Sequence, residues 1–205
     1  MDRERSSSRN NLAFLHAFLR SPEKVASIVP SSRFLERRLI KCAGISQAGL
    51  VVELGPGSGG TTFAILNAMK PTARLLSIEI TPEFVELLTK SHDSRLNVHL
   101  GSAEHIRDIL VRYDFGAPDV VVSGIPFSTM SPALGRRVIG EVWASLAPGG
   151  MFVAYQVWDR VAVLGRELLG KPEIELELLN VPPMRLFCWR KPGAKPRDVH
   201  HAAID

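Results

Sequence analysis

Apolar residues recur along the chain in two rhythms, and the change between them falls near Gly49. Before it, Leu12, Phe14, Leu15, Phe18 and Leu19 fall within an arc of roughly 160° at helical pitch. Arg9, His16 and Arg20 fall on the other side. This predicts an amphipathic helix over 12–20, which Pro22 ends or re-aims. Pro30-Ser31-Ser32 reads as a loop and N-cap for a second helix at 33–42.

After Gly49, short strand-like runs alternate with helical ones. Strands are predicted at 50–54, 75–80, 97–100, 119–123, 151–157, 173–179 and 185–190. Val120-Val121-Val122 marks the fourth as buried on both faces. A helix over 60–69 is closed by Lys70-Pro71. Another starts at Thr81-Pro82-Glu83, which offers a cap, a proline at the first helical position and an acid on the positive dipole end. Ser131-Pro132 caps a helix to residue 146. Asn180-Val181-Pro182-Pro183 is a short connection, so the last two strands are expected as an antiparallel hairpin. The βαβ alternation implies one open α/β sheet with right-handed crossovers, with no internal repeat and no second domain.

The chain has 205 residues, 45% hydrophobic and 22% charged, which excludes disordered, collagen-like and disulfide-scaffold classes. Cys42 and Cys188 form no CxxC, and two reduced thiols in a cytosolic protein are expected. The longest uncharged apolar run, 142–158, is broken by Pro148-Gly149-Gly150, so no spanning helix is expected. The charged start, Met1 to Arg5, lacks the apolar stretch of a signal peptide. No metal site is expected, and His200-His201 reads as part of a polar tail.

Charge adds a further point. Residues 1–41 hold nine lysines and arginines against four acids, a net of +5; since the whole chain is +4, the other 164 residues sum to −1. The excess sits at one end and suggests an anionic partner there, nucleic acid or a membrane surface.

The chemistry gathers after the first strand. Val51-Val52-Glu53-Leu54-Gly55-Pro56-Gly57-Ser58-Gly59-Gly60 follows a strand and opens a helix, the setting of a nucleotide-binding glycine loop. Two ligands compete for it. Gly55, Gly57 and Gly60 satisfy the dinucleotide pattern GxGxxG, with Glu79 nineteen residues on to hold a ribose. Against that, Glu53 stands beside the loop, where a carboxylate repels a pyrophosphate. It suits S-adenosylmethionine, which carries an ammonium and a sulfonium and no phosphate. The weight falls on the methyl donor. Gly101-Ser102-Ala103 then follows the third strand, where its adenine would lie. Ser123-Gly124-Ile125-Pro126-Phe127 follows the fourth, where its methyl would point. Phe127 is either a core aromatic or a wall of an amine pocket acting by cation–π contact.

These residues resemble the class I S-adenosylmethionine-dependent methyltransferases over about 49–190. Ser-Gly-Ile-Pro-Phe in place of NPPY or NIPY narrows the resemblance, as do Ile28-Val29-Pro30-Ser31-Ser32 and Asn180-Val181-Pro182-Pro183-Met184-Arg185. Together they are similar to the bacterial phospholipid N-methyltransferases, which convert phosphatidylethanolamine stepwise to phosphatidylcholine at the membrane surface and are related to the rRNA adenine dimethyltransferases. The resemblance implies a Rossmann-like α/β fold with a seven-stranded, mostly parallel sheet and an antiparallel last strand. Its parts would be a basic helical segment over 1–45, a donor-binding core over 46–191 and a polar tail over 192–205.

It also implies roles. Gly55, Pro56, Gly57, Ser58, Gly59 and Thr61 would form the loop against the donor's amino-acid part, with Glu53 near its ammonium. Glu79 and Ile80 would meet the ribose, and Gly101, Ser102 and Ala103 the adenine. Ser123 stands where the adenine methyltransferases carry asparagine, which weakens the case for a planar amine and points to an aliphatic one. The substrate ammonium must lose a proton before its nitrogen can attack, and Tyr155 and Ser123 are the two candidates for that step. Ile125, Pro126 and Phe127 would line the substrate side. Phe14 and Phe18, with Arg20 and Lys24, would meet an anionic membrane, giving a cytoplasmic enzyme held peripherally at the inner face of the cell membrane. An RNA or small-molecule N-methyltransferase and a non-catalytic membrane- or RNA-binding protein of the same fold are the alternatives, although no RNA-binding module is attached.

Overall fold

The computed structural model describes residues 32–180 and 182–193. The helix expected over 12–20, with Phe14, Phe18, Arg20 and Lys24, lies outside the described residues, as do the turn at 28–31 and the end of the tail.

Seven strands form one sheet: β1 (Leu50–Leu54), β2 (Arg74–Glu79), β3 (Leu96–Leu100), β4 (Val120–Ser123), β5 (Met151–Gln156), β6 (Glu173–Glu177) and β7 (Met184–Arg190). Their order is β3-β2-β1-β4-β5-β7-β6. The first five run parallel, and β7 inserts antiparallel between β5 and β6. The expected sheet and terminal hairpin are both present. The chain leaves β1 on one side to make β2 and returns on the other to make β4, so their C-terminal ends open a crevice where order reverses, the usual ligand site of such sheets.

Six α-helices cover the described sheet: α1 (Arg33–Ala43), α2 (Gly60–Ala68), α3 (Pro82–Thr89), α4 (Ile106–Arg112), α5 (Pro132–Ser145) and α6 (Arg160–Leu169). Strand alternation sends Val51, Leu75, Val120, Val122 and Val153 into a core beneath α1 and α2. Val52, Leu76, Val121, Phe152 and Phe187 go into a second core beneath α4, α5 and α6. Ser32 caps α1 by accepting from Leu35 N at 3.2 Å, and the helix buries Leu35, Leu39 and Ala43. Ser131 caps α5 by accepting from Leu134 N.

Three expectations are corrected. Helices α4 and α6 went unpredicted. Thr81 provides no side-chain cap to α3, and its N–H donates to Glu79; Pro82 and Glu83 still open the helix. Cys42 and Cys188 are not separate thiols: α1 lies across the sheet so that its last turn meets β7, and the two are joined as a disulfide with Cα atoms 7.3 Å apart. Among the described residues no helix is long and apolar enough to cross a membrane, and no group of three or more His, Cys, Asp or Glu side chains gathers to hold a metal.

Candidate donor and amine site

The site stands on the C-terminal ends of β1, β2 and β4. Gly55 and Gly57 take φ of +70° and +55°, conformations in which a side chain would be strained. They turn the chain from β1 into α2 within a few residues. The space over Gly57 is open, whereas a Cβ on Gly55 would press on Ile125 at 3.1 Å. Two loops distant in sequence thus meet through backbone. Pro56 and Gly59 are buried under the loop, and Ser58 is exposed at its tip.

Glu53 is fully buried at the end of β1. Its Oε2 accepts from Thr62 Oγ at 2.7 Å and Ser77 Oγ at 2.9 Å. Its Oε1 has no partner. Burial pushes this carboxyl up to about 7; the two hydroxyls pull it down and Glu79 adds a smaller upward push. A buried oxygen without a partner is costly, and a hydrogen-bond donor, best a cationic one, satisfies it. Glu79 is also buried. Its Oε1 accepts from Ile80 N at 2.8 Å and Thr81 N at 2.9 Å, and its Oε2 from Gly57 N at 3.1 Å. These bonds clamp the glycine loop to β2 and fix the carboxylate's direction. Beside it the Ile80 side chain is exposed, and so is Leu100 at the paired position of β3.

The loop after β3 differs from expectation. Ser102 Oγ turns back to Glu104, receiving its N–H at 3.5 Å and facing its Oε1 at 3.4 Å, so the hydroxyl caps the short 3₁₀ turn Ala103–His105. Ala103 is packed in the core beneath α4. Gly101 N donates to Glu79 O at 2.9 Å, tying this loop to β2.

The motif after β4 also divides. Ser123 is fully buried, and its Oγ accepts from Ile125 N at 3.3 Å, so it holds a turn rather than facing a substrate. Counted back from Pro126-Phe127, the asparagine of the NIPY pattern falls on Gly124, not on Ser123. Phe127 is fully buried in the core against α5 and is no wall of an amine pocket. Ile125 and Pro126 remain partly accessible, and Gln156 fixes this loop by donating from Nε2 to Ile125 O at 2.7 Å.

Tyr155 points from β5 toward α2, with its hydroxyl 3.3 Å from Thr61 Oγ. Burial, and after it Glu53, push its phenol further up from its usual range; Glu36 and Glu79 add to this. A phenol so held stays protonated at neutral pH. It is a hydrogen-bonding group and not the base that the sequence suggested. Glu36 went unrecognised in the sequence, where α1 read only as part of a basic segment. Its Oε1 lies 3.6 Å from where a Cβ on Gly60 would stand, at the N-terminus of α2. Burial raises its carboxyl and Arg33 lowers it. An acid in the first turn of a helix packed against the sheet was the available signal.

Three carboxylates, Glu36, Glu53 and Glu79, therefore bear on one phenol. Such a site suits a cationic ligand.

No protein-family model matches the chain. It is 33% identical over 181 residues to the ornithine lipid N-methyltransferase of Singulisphaera acidiphila, covering 86% of this chain and 94% of that one. It is 31% identical over 150 residues to ribosomal RNA small subunit methyltransferase A of Mycobacterium tuberculosis, covering 70% of this chain and 45% of that longer protein. The fold matches the N-methyltransferase NodS of Bradyrhizobium japonicum, solved with S-adenosyl-L-homocysteine, at TM-score 0.62 and 16% identity over 89% of this chain and 99% of that one. The chain belongs to the class I S-adenosylmethionine-dependent methyltransferases. It is an N-methyltransferase whose methyl donor is S-adenosyl-L-methionine. The orphaned Glu53 oxygen, the open space over Gly57 and the clamped Glu79 fit that donor. When bound it supplies an electrophilic methyl on a sulfonium. The chain's own part is to hold the loop, orient Glu79 and keep cationic groups favourable through its acids.

Proposed function

We propose that the chain methylates the amine of a membrane lipid headgroup, with phosphatidylethanolamine and an ornithine lipid as the two sources of that amine. The observation that carries this reading is the acidic floor of the site, where buried Glu53 with its unpartnered Oε1 and buried Glu79 lie at the ends of β1 and β2, which favours an ammonium-bearing acceptor as well as a cationic donor. The ornithine lipid N-methyltransferase relative supports the lipid class. The exposed face of α1 supports action at an anionic surface. Arg33, Arg37 and Lys41 stand one turn apart in succession, with the half-exposed Phe34 beside them, and none of the three cations forms an ion pair among the described residues. On this reading the protein works peripherally, at the inner face of the cell membrane.

The test uses labelled donor with three acceptors: anionic vesicles containing phosphatidylethanolamine, the same vesicles containing ornithine lipid, and adenine-containing RNA. Label in lipid, separated into mono-, di- and trimethylated products, is expected, and the vesicle that carries it identifies the headgroup. Label in RNA alone overturns the reading.

A further inference from the structure

The bare backbone of Gly124 faces the Tyr155 hydroxyl. A Cβ placed on residue 124 would overlap Tyr155 Oη, lie 2.8 Å from Cζ and come within 3.0 Å of Gly55 O. No side chain fits at residue 124 while Tyr155 stands there. The phenol takes the space that a side chain at the mouth of β4 would use.

Tyr155 is held in that place from several sides. Its backbone is in register with Leu186 of β7 and its neighbour Ala154 with Ser123 of β4. Its hydroxyl meets Thr61 Oγ at 3.3 Å on the first turn of α2. The next residue, Gln156, donates from Nε2 to Ile125 O at 2.7 Å, which fixes the far side of Gly124. A phenol oxygen has one hydrogen and two lone pairs. One contact to Thr61 leaves at least one lone pair for another donor. The surrounding carboxylates favour a cation at that point.

We propose that Tyr155, standing over side-chain-less Gly124, is the specificity-determining residue of the amine subsite. Its oxygen accepts one N–H of the acceptor amine, and its ring leaves room for a tetrahedral nitrogen on a flexible chain but not for a planar amine fused to a ring. A tetrahedral nitrogen can give one N–H to the phenol and aim its lone pair elsewhere. A ring-borne amine must bring its whole plane alongside the nitrogen, into the volume that the phenol fills. This assignment rests on the lipid-amine reading above.

Three variants test it: Tyr155→Phe, Gly124→Ala, and Gly124→Ala combined with Tyr155→Ala. Donor affinity is read by calorimetry, so that loss of the fold is seen separately from loss of the subsite. Acceptors are phosphatidylethanolamine vesicles, ornithine lipid vesicles and adenine-containing RNA. Tyr155→Phe is expected to raise KM for the lipid about tenfold, as loss of one hydrogen bond to a charged group does, with donor affinity changed by less than about threefold. Gly124→Ala is expected to lose most lipid transfer, because the phenol must move, and to bind the donor more weakly, because its Cβ presses on Gly55 O in the donor loop. The double variant is expected to gain transfer to RNA relative to lipid. Lipid transfer by the wild-type chain with an unchanged KM in Tyr155→Phe overturns this assignment alone. So does a Gly124→Ala variant with wild-type kinetics. Transfer by the wild-type chain to RNA as well as lipid overturns this assignment alone, and transfer to RNA without lipid overturns both the assignment and the lipid reading.

Discussion

The N–H of Gly57 donates to Glu79 Oε2 at 3.1 Å, so the glycine loop and the end of β2 are one unit. Glu79 accepts three backbone N–H groups in all. A glutamine there turns one accepting end into an NH₂ donor that faces another N–H, or leaves two N–H groups without an acceptor. Glu79→Gln is therefore expected to behave nearly as badly as Glu79→Ala. Both should weaken donor binding by about ten- to a hundredfold, from the loss of one or two charge-assisted hydrogen bonds. Calorimetric titration with the donor checks this. A glutamine variant binding within twofold of wild type would show that the carboxylate does not organise the loop.

Glu53 makes a pH prediction with a definite sign. Its carboxyl is raised from 4.5 to about 7 in the fold. Between those values the unfolded chain has released the proton and the folded one retains it. Stability therefore falls as pH rises through this window, by up to about 3 kcal/mol, and levels off above pH 7. Glu53→Gln removes the titration, so its thermal midpoint should gain on that of wild type from pH 5 to pH 7.5. Asp93, lowered to about 2 by its bond to Arg95, acts in a separate window: its contribution is present above about pH 4 and is lost only in stronger acid. Thermal unfolding at pH 5, 6, 7 and 8 tests the first effect without the second. Parallel curves for wild type and variant would refute the buried, half-satisfied state of Glu53.

Much of this was legible in the residues themselves. The sheet followed from strand runs bounded by turn residues, and the donor loop from glycines set between a strand and a helix. The places that failed share a physical cause. Helix α4 is short, so its apolar spacing spans barely two turns, while α6 follows a bend at residues 157–159 with no side-chain cap to mark its start. The roles of Ser102, Ser123 and Phe127 depend on which way each side chain faces, and that is decided by packing. Glu36 is remote in sequence from the rest of the site and reaches it only because α1 lies against α2 and β5. Cys42 meets Cys188 for the same reason, across 146 positions.

Phe127 is a direct check on one of these reversals. A pocket wall would lose function when truncated and leave the fold sound. A buried core ring does the opposite. Phe127 is fully buried among residues of the core beneath α5. Phe127→Ala is expected to cost about 3–5 kcal/mol of stability. Phe127→Leu should cost about 1–2 kcal/mol, with KM for the lipid acceptor unchanged. Urea midpoints and steady-state kinetics on the leucine variant separate the two roles. A raised KM with an unshifted midpoint would restore the pocket wall.

The α1 face offers the last test. Arg33, Arg37 and Lys41 repel one another at successive turns, an arrangement that costs an isolated helix a few tenths of a kcal/mol per pair. The buried face, Leu35, Leu39 and Ala43, is what holds the helix in place. Replacing the three exposed cations with alanine should therefore leave the fold intact and slightly favour it. Each basic residue near an anionic leaflet contributes about 1 kcal/mol, so the triple variant should bind such vesicles about 100-fold more weakly. Binding to neutral vesicles should stay the same, and the wild-type protein should be released as salt rises. Co-sedimentation with anionic and neutral vesicles at two ionic strengths measures all of this. If the triple variant still sediments fully with anionic vesicles, α1 is not the lipid-facing element, and its charge serves another anionic partner.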